Sequence, residues 1–150
     1  MHISVRGIVE KENGIILIHR VKPRDDGTLR DYYVVPGGKQ EIGENNLNTL
    51  NREIEEELGI KVDVKEKLIE YNDMNYNDSI QIFYICKHKS GIIGTGNGPE
   101  MKNKNEYKGI FEPLIVKYSD IKNINLVPEY IKELLVERYK TKWKEVTVIL

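Results

Sequence analysis

The sequence predicts one α/β domain. Three observations carry this reading: segments with strand-like alternation flank a strongly amphipathic helix, glycine and proline punctuate the joins, and 150 residues are the length of one ordinary domain spanning 1–150. Hydrophobic residues make up 39% and charged residues 31%, which is too apolar for a disordered chain and too polar for a membrane span. A globular domain with its own core is expected, and no membrane partner.

The elements follow in order. Ile3, Val5, Gly7 and Val9 alternate with His2, Ser4, Arg6 and Ile8, and Asn13-Gly14 separates them from the apolar run 15–18, which reads as a hairpin turned at Asn-Gly. Residues 22–31, with Pro23, Gly27 and mixed charge, read as an exposed loop before a short strand at 32–35, and Pro36-Gly37-Gly38 ends that strand. A helix is predicted from about 44 to 58 and stops at Gly59. Strands are predicted at 62–71 and 79–87, the second with both faces buried, followed by a long glycine-rich loop at 91–109. A strand at 110–118 and a helix opened by Pro128, with Ile131, Leu134, Leu135 and Tyr139 on one side, complete the pattern. Val146, Val148 and Leu150 stand at strand spacing in the tail.

Charge and cysteine usage narrow the function. The balance of 23 Lys+Arg against 24 Asp+Glu leaves a formal charge of -1, so no global field would hold the chain along a nucleic acid. Cys86 is the only cysteine, which excludes an internal disulfide and a multi-cysteine zinc site and suits a reducing compartment. His2, His19 and His88 are scattered, without metal-ligand spacing. The first twenty residues contain no apolar run long enough for a signal-peptide core, so a cytoplasmic location is expected.

The acidic helix is the informative segment. On a helical wheel Leu47, Leu50, Ile54 and Leu58 fall within about 80°, a stripe for the core, while Glu53, Glu56 and Glu57 fall within about 100° beside it. Three carboxylates at i, i+3 and i+4 repel by about 0.2–0.5 kcal/mol per pair, in the half of the helix where the macrodipole also disfavours them. A hard divalent cation would turn that repulsion into coordination. A charge run on a helix is ordinarily a solvated face, and a glycine pair is ordinarily a turn. Here the two adjoin, and Pro36-Gly37-Gly38 can offer bare backbone carbonyls beside the carboxylates. Arg52 lies near the arc, where it could pair with Glu44 or orient Glu53.

These residues match a family pattern. Gly38, five residues, Glu44, seven residues, then Arg52-Glu53-Ile54-Glu55-Glu56-Glu57-Leu58-Gly59-Ile60 resembles the Nudix box, GX5EX7REUXEEXGU with U aliphatic, at every specified position. The resemblance implies the Nudix fold, an α/β/α sandwich with a mixed central sheet. It also implies hydrolysis of a pyrophosphate bond in a nucleoside diphosphate linked to another group, with Mg2+ or Mn2+. Glu53, Glu56, Glu57 and the carbonyl of Gly38 would be the metal ligands, Arg52 would hold Glu53, and Glu44 would support the loop and helix by charge pairing.

The general base varies within the family between a box glutamate and one from an outside loop. Glu53 is the first choice here, and Glu100, with Glu106 behind it, is the candidate in the 91–109 loop. Two alternatives stand beside this reading. One is a Nudix-like module that binds a nucleotide without cleaving it, although such domains usually lose box carboxylates. The other is an enzyme for the triphosphate end of RNA, served by Lys102, Lys104 and Lys108. A small phosphorylated nucleotide is the partner that the resemblance favours, and a homodimer would be common for the family. Tyr32, Tyr33, Tyr76 and Tyr107 are open to either base stacking or packing.

Overall fold

Strand β1 (His2–Lys11) and strand β2 (Gly14–Pro23) form the predicted hairpin, with Val9 opposite Ile16 and Lys11 opposite Gly14. The computed structural model describes residues 2–73, 79–97 and 109–148. The turn differs from the Asn-Gly expectation: its left-handed residue is Glu12 (φ 57°), and Gly14 already belongs to β2. A Cβ at Gly14 would lie 2.2 Å from the carbonyl oxygen of Val116, so glycine is needed there for close strand approach rather than for the turn.

The expected loop at 22–31 shrinks to 24–28, because β2 runs to Pro23 and β3 (Leu29–Val34) starts at Leu29. Local hydrogen bonds close that turn: Arg24 N–H donates to the Thr28 carbonyl at 2.7 Å, and Thr28 gives its N–H and hydroxyl to Asp26. β3 stops at Val34, just before Pro36-Gly37-Gly38 as the sequence predicts, and the chain then pairs with a different strand. Residues Gly37–Lys39 form a short strand β4. Helix α1 (Asn46–Leu58), β5 (Ile60–Asp73), β6 (Ser79–Gly91), β7 (Ile110–Lys117), a 3₁₀ turn (Tyr118–Asn123), β8 (Leu126–Val127) and helix α2 (Glu129–Val148) follow.

One eight-stranded sheet runs β5-β6-β1-β2-β3-β8, with β4 on β1 and β7 on β2. It is mixed, since β1 with β6 and β3 with β8 are parallel while the other pairs are antiparallel. β1 divides one of its edges: Val9 to Lys11 pair with β2, whereas Ser4 to Arg6 pair with β4. Where β1 and β2 diverge, β3 continues on β2 and β4 fills in beside β1.

Alternation sends residues to two cores. Val5, Val9, Ile16 and Ile18 meet Leu50, Ile54 and Leu58 of α1, while Ile8, Ile15 and Leu17 meet Ile131, Leu135 and Tyr139 of α2. The result is an α/β/α sandwich. Leu47 departs from the predicted stripe: it lies in the first turn of α1 and is 47% exposed, and the buried residues of the helix begin at Thr49 and Leu50. The tail also departs from its strand-like spacing, because α2 continues through Val148. Extending an existing helix adds one bond per residue fixed, which outweighs the modest penalty of β-branched residues. Among the described residues, no helix is long and apolar enough to cross a membrane.

Candidate active site

The site is built where α1 starts, ends and faces β4. Asn45 caps the helix, its side chain accepting the Asn48 N–H at 2.8 Å, and Gly59 ends it in the left-handed region (φ 76°). The loop after β6 closes the C-terminus: Gly94 N–H donates to the Leu58 carbonyl at 3.0 Å, and the Thr95 hydroxyl donates to the Gly59 carbonyl at 3.3 Å. These carbonyls would otherwise add negative partial charge beside Glu56 and Glu57.

Arg52 organises the carboxylates. Its Nε and Nη2 donate to the two oxygens of Glu44 at 2.7 and 3.0 Å, a bidentate pair, and Nη2 also reaches the Lys39 carbonyl at 3.1 Å. Nη1 bridges Glu53 at 2.9 Å and Glu56 at 3.4 Å. Glu41 lies 3.8 Å from Nη1. The two alternatives read from sequence for Arg52, pairing with Glu44 or orienting Glu53, are therefore both realised. The guanidinium supplies the offset to like-charge repulsion that a lysine on the arc does not. Glu44 is anchored in turn by the Glu41 N–H at 2.9 Å and the Thr49 hydroxyl at 3.2 Å. The bond from Arg52, then that from the Glu41 N–H, pull its carboxyl from the ordinary 4.5 to about 2. The same pairing raises the already high pKa of Arg52.

The glycines of β4 receive two of the glutamates. Gly37 adopts φ 145°, and its N–H donates to Glu57 Oε1 at 2.8 Å. At Gly38 a Cβ would stand 2.5 Å from the carboxyl carbon of Glu53, so the bare backbone is what leaves room for that carboxylate. Arg6 braces the other side of this corner, donating to Gln81 Oε1 and to the Val35 carbonyl, each at 3.0 Å. Glu53 is 16% exposed and Glu56 37%, so one carboxylate is enclosed and the next faces out.

All the donors at this corner are oxygens, the chemistry suited to Mg2+ or Mn2+. Among the described residues, no three His, Cys, Asp or Glu side chains are grouped as a ready metal cage. A hard cation such as Mg2+ keeps several waters and takes one or two carboxylates with the phosphates of a substrate. Glu53 and Glu57 against the backbone of Gly37-Gly38 fit that requirement.

Sequence reasoning missed Asn45, Thr49, Arg6, Gln81 and Thr95 as supports. Asn45 carried a readable signal, a capping residue just before the apolar period; the others act across the fold and left no local one. Glu100 and Glu106 lie outside the described residues, as do Lys102, Lys104, Lys108, Tyr76 and Tyr107. Tyr32 and Tyr33 are in β3, as the strand predicted at 32–35 has them, and Tyr32 is buried. Cys86 is fully buried, and burial pushes its thiol to about 12, which leaves no thiolate for chemistry.

A family model described as a NUDIX domain matches residues 1–121. The chain belongs to the Nudix family. A protein named ADP-ribose pyrophosphatase from Methanocaldococcus jannaschii is 37% identical over 98 residues, covering 63% of this chain and 56% of that protein. A MutT-like protein from Streptomyces ambofaciens is 30% identical over 95 residues, covering 63% of this chain and 57% of its own length. The matches thus span little more than half the length of these curated relatives. Among solved structures, a NUDIX hydrolase from Nitrosomonas europaea superposes with a TM-score of 0.67 over 94% of this chain and 89% of that one, at 18% identity. That likeness is one of Nudix fold. In this Nudix chain Gly38 lies on β4, Glu44 in the loop that follows, and Arg52, Glu53, Glu56 and Glu57 on α1.

Proposed function

We propose that this chain hydrolyses a pyrophosphate bond in a nucleoside diphosphate linked to another group, using Mg2+ or Mn2+. The observation that carries the reading is the pair of carboxylates, Glu53 and Glu57, seated on the bare backbone of Gly38 and Gly37. Glu53, Glu56, Glu57 and the Gly38 carbonyl would hold the cation. When bound, such an ion neutralises phosphate charge and makes a coordinated water more acidic. Glu53 is the base that takes a proton from the attacking water as the new P–O bond forms and the bridging P–O bond breaks. Arg52 fixes Glu53 in direction, and Glu44 fixes Arg52. Glu100 is the outside candidate for the same proton.

Residues 1–150 are read as one domain, a reading supported by α2, which lies beyond the matched 121 residues yet contributes Ile131, Leu135 and Tyr139 to a core. The test is a panel of nucleoside triphosphates, ADP-ribose, sugar nucleotides, dinucleoside polyphosphates and triphosphorylated RNA with Mg2+ or Mn2+. Cleavage of a small pyrophosphate is expected, and release of nothing from the whole panel would overturn the proposal. Glu57→Gln keeps an oxygen for the Gly37 N–H but removes the charge. It should lower kcat/KM at least about tenfold with little change in Tm; parental turnover would remove Glu57 from its role.

A further inference from the structure

The sheet face under α2 ends in a cavity of about 330 Å³. Glu10 of β1 shares the parity of Ile8, and its register partner Lys87 of β6 shares that of Phe83 and Ile85. Those three apolar residues belong to the core under α2, so Glu10 and Lys87 leave the sheet on that face. Lys142 of α2 and Tyr118, the first residue of the 3₁₀ turn, meet them there, and Lys11, Glu12 and His88 complete the lining. Glu10 lies five residues beyond Val5, the partner of Gly38, which is roughly 17 Å along the strand. Val5 belongs to the core under α1, so the cavity and the glycine corner stand on opposite faces.

Tyr118 is the buried group whose bonding the fold leaves incomplete. It is 9% exposed and stacks on Tyr139 with ring centroids 4.3 Å apart. The Tyr139 hydroxyl donates to Glu10 Oε2 at 2.6 Å, whereas that of Tyr118 has no hydrogen-bond partner among the described residues. A buried tyrosine hydroxyl ordinarily finds one. Burial, and then the charge of Glu10, push the Tyr118 phenol up to about 12, so it keeps its proton and offers a donor. Ammonium groups gather around it. Lys142 Nζ lies 5.4 Å from the Tyr118 ring centroid. Lys11 Nζ donates to His88 Nδ1 at 3.1 Å, and His88 Nε2–H donates to the Gly91 carbonyl at 2.8 Å. That pair of bonds makes the imidazole neutral, so it orients Lys11 without cancelling its charge. Among the described residues, none of Lys11, Lys87 and Lys142 forms an ion pair.

We infer that this cavity is a second binding site and takes a sugar phosphate. The three ammonium groups and the Tyr118 hydroxyl are donors for the phosphate, while Glu10 and Glu12 accept from sugar hydroxyls. The volume stands at the small end of ligand pockets, which suits a monosaccharide rather than a dinucleotide. The site does not depend on the hydrolysis reading, and either can fail without the other.

The test is titration calorimetry of the full chain with ribose 5-phosphate in EDTA, so that no divalent cation draws phosphate to the glycine corner. Saturable binding at one site is expected, weakening as salt rises. Tyr118→Phe keeps the ring on Tyr139 and removes only the donor, and it should raise Kd by about tenfold. Lys87 is exposed, so Lys87→Gln should leave the melting temperature in place and raise Kd by about two- to fivefold. Should Tyr118→Phe melt early, Lys87→Gln carries the test alone. Lack of saturable binding, or parental affinity in the folded variants, would overturn the inference. So would ribose bound as tightly as ribose 5-phosphate, since ribose needs no cation, or inorganic phosphate bound as tightly, since it needs no carboxylate.

Discussion

Two charged regions share one side of the sheet and are held by opposite means. At the glycine corner the acids are tied together by one guanidinium, with Arg52 bonding Glu44, Glu53 and Glu56 at once. At the hairpin, Arg20 stacks on the ring of Phe111 and Arg30 on that of Tyr32, the residue opposite Arg20. Charges fixed by mutual hydrogen bonds respond to any change of geometry and little to ionic strength. Exposed charges fixed by stacking respond to ionic strength and tolerate conservative replacement. A chain of formal charge -1 can thus present two surfaces of opposite sign, because neutrality is a property of the sum.

The sharpest way to break the corner is steric. Gly38→Ala puts a methyl where the Glu53 carboxylate stands, 2.5 Å from its carboxyl carbon. A displacement of about 1 Å can cost on the order of 100-fold in rate, so kcat should fall by that order while the melting temperature moves little; an active alanine variant would show that the carboxylate need not sit there. Arg52→Lys comes next. Lysine keeps the charge but not the fork, so the bidentate bond to Glu44 is lost, and urea unfolding should show a lower midpoint than the parent. Unchanged stability would mean that the network has no more value than an exposed pair.

The smallest effect is a pH dependence. Glu44 titrates at about 2 in the folded chain against an ordinary 4.5, so it binds a proton more weakly when folded. Its stabilising share is fully present above 4.5 and is lost as pH falls through about 2. The stability gap between the parent and Glu44→Gln should therefore narrow from pH 4.5 downward and close near pH 2. A gap constant over that window would detach Glu44 from Arg52.

The legible parts of the fold were those decided locally. Helix α1 and its stop at Gly59 follow from a 3.6-residue period and a glycine that takes the left-handed conformation, and the two faces of β6 follow from its unbroken apolar run. The short strands β4 and β8 were not legible, because three and two residues carry no period and pair only through contacts distant in sequence. The tail misled for the converse reason: its alternation of valines is local, while α2 runs through it by continuity. At the site, the box glutamates and Arg52 could be placed on a wheel, which shows nearness in angle. Which oxygen meets which donor depends on β4 docking against β1, a tertiary fact that the wheel does not contain.

The divided edge of β1 sets how the glycine corner can open. Lys39, Gly38 and Gly37 pair with Ser4, Val5 and Arg6, and the Gly7 N–H donates to the Pro36 carbonyl at 2.9 Å. Their partner strand is also bonded along nine residue pairs to β6, and its Val5, Ile8 and Val9 are fully buried. A glycine-rich segment would ordinarily fray on its own, yet here it is fastened to the strand that should be last to separate. Deuterium should therefore reach the peptide groups of this corner only when the whole sheet lets go, so the backbone on which the proposed site rests should be among the most slowly exchanging.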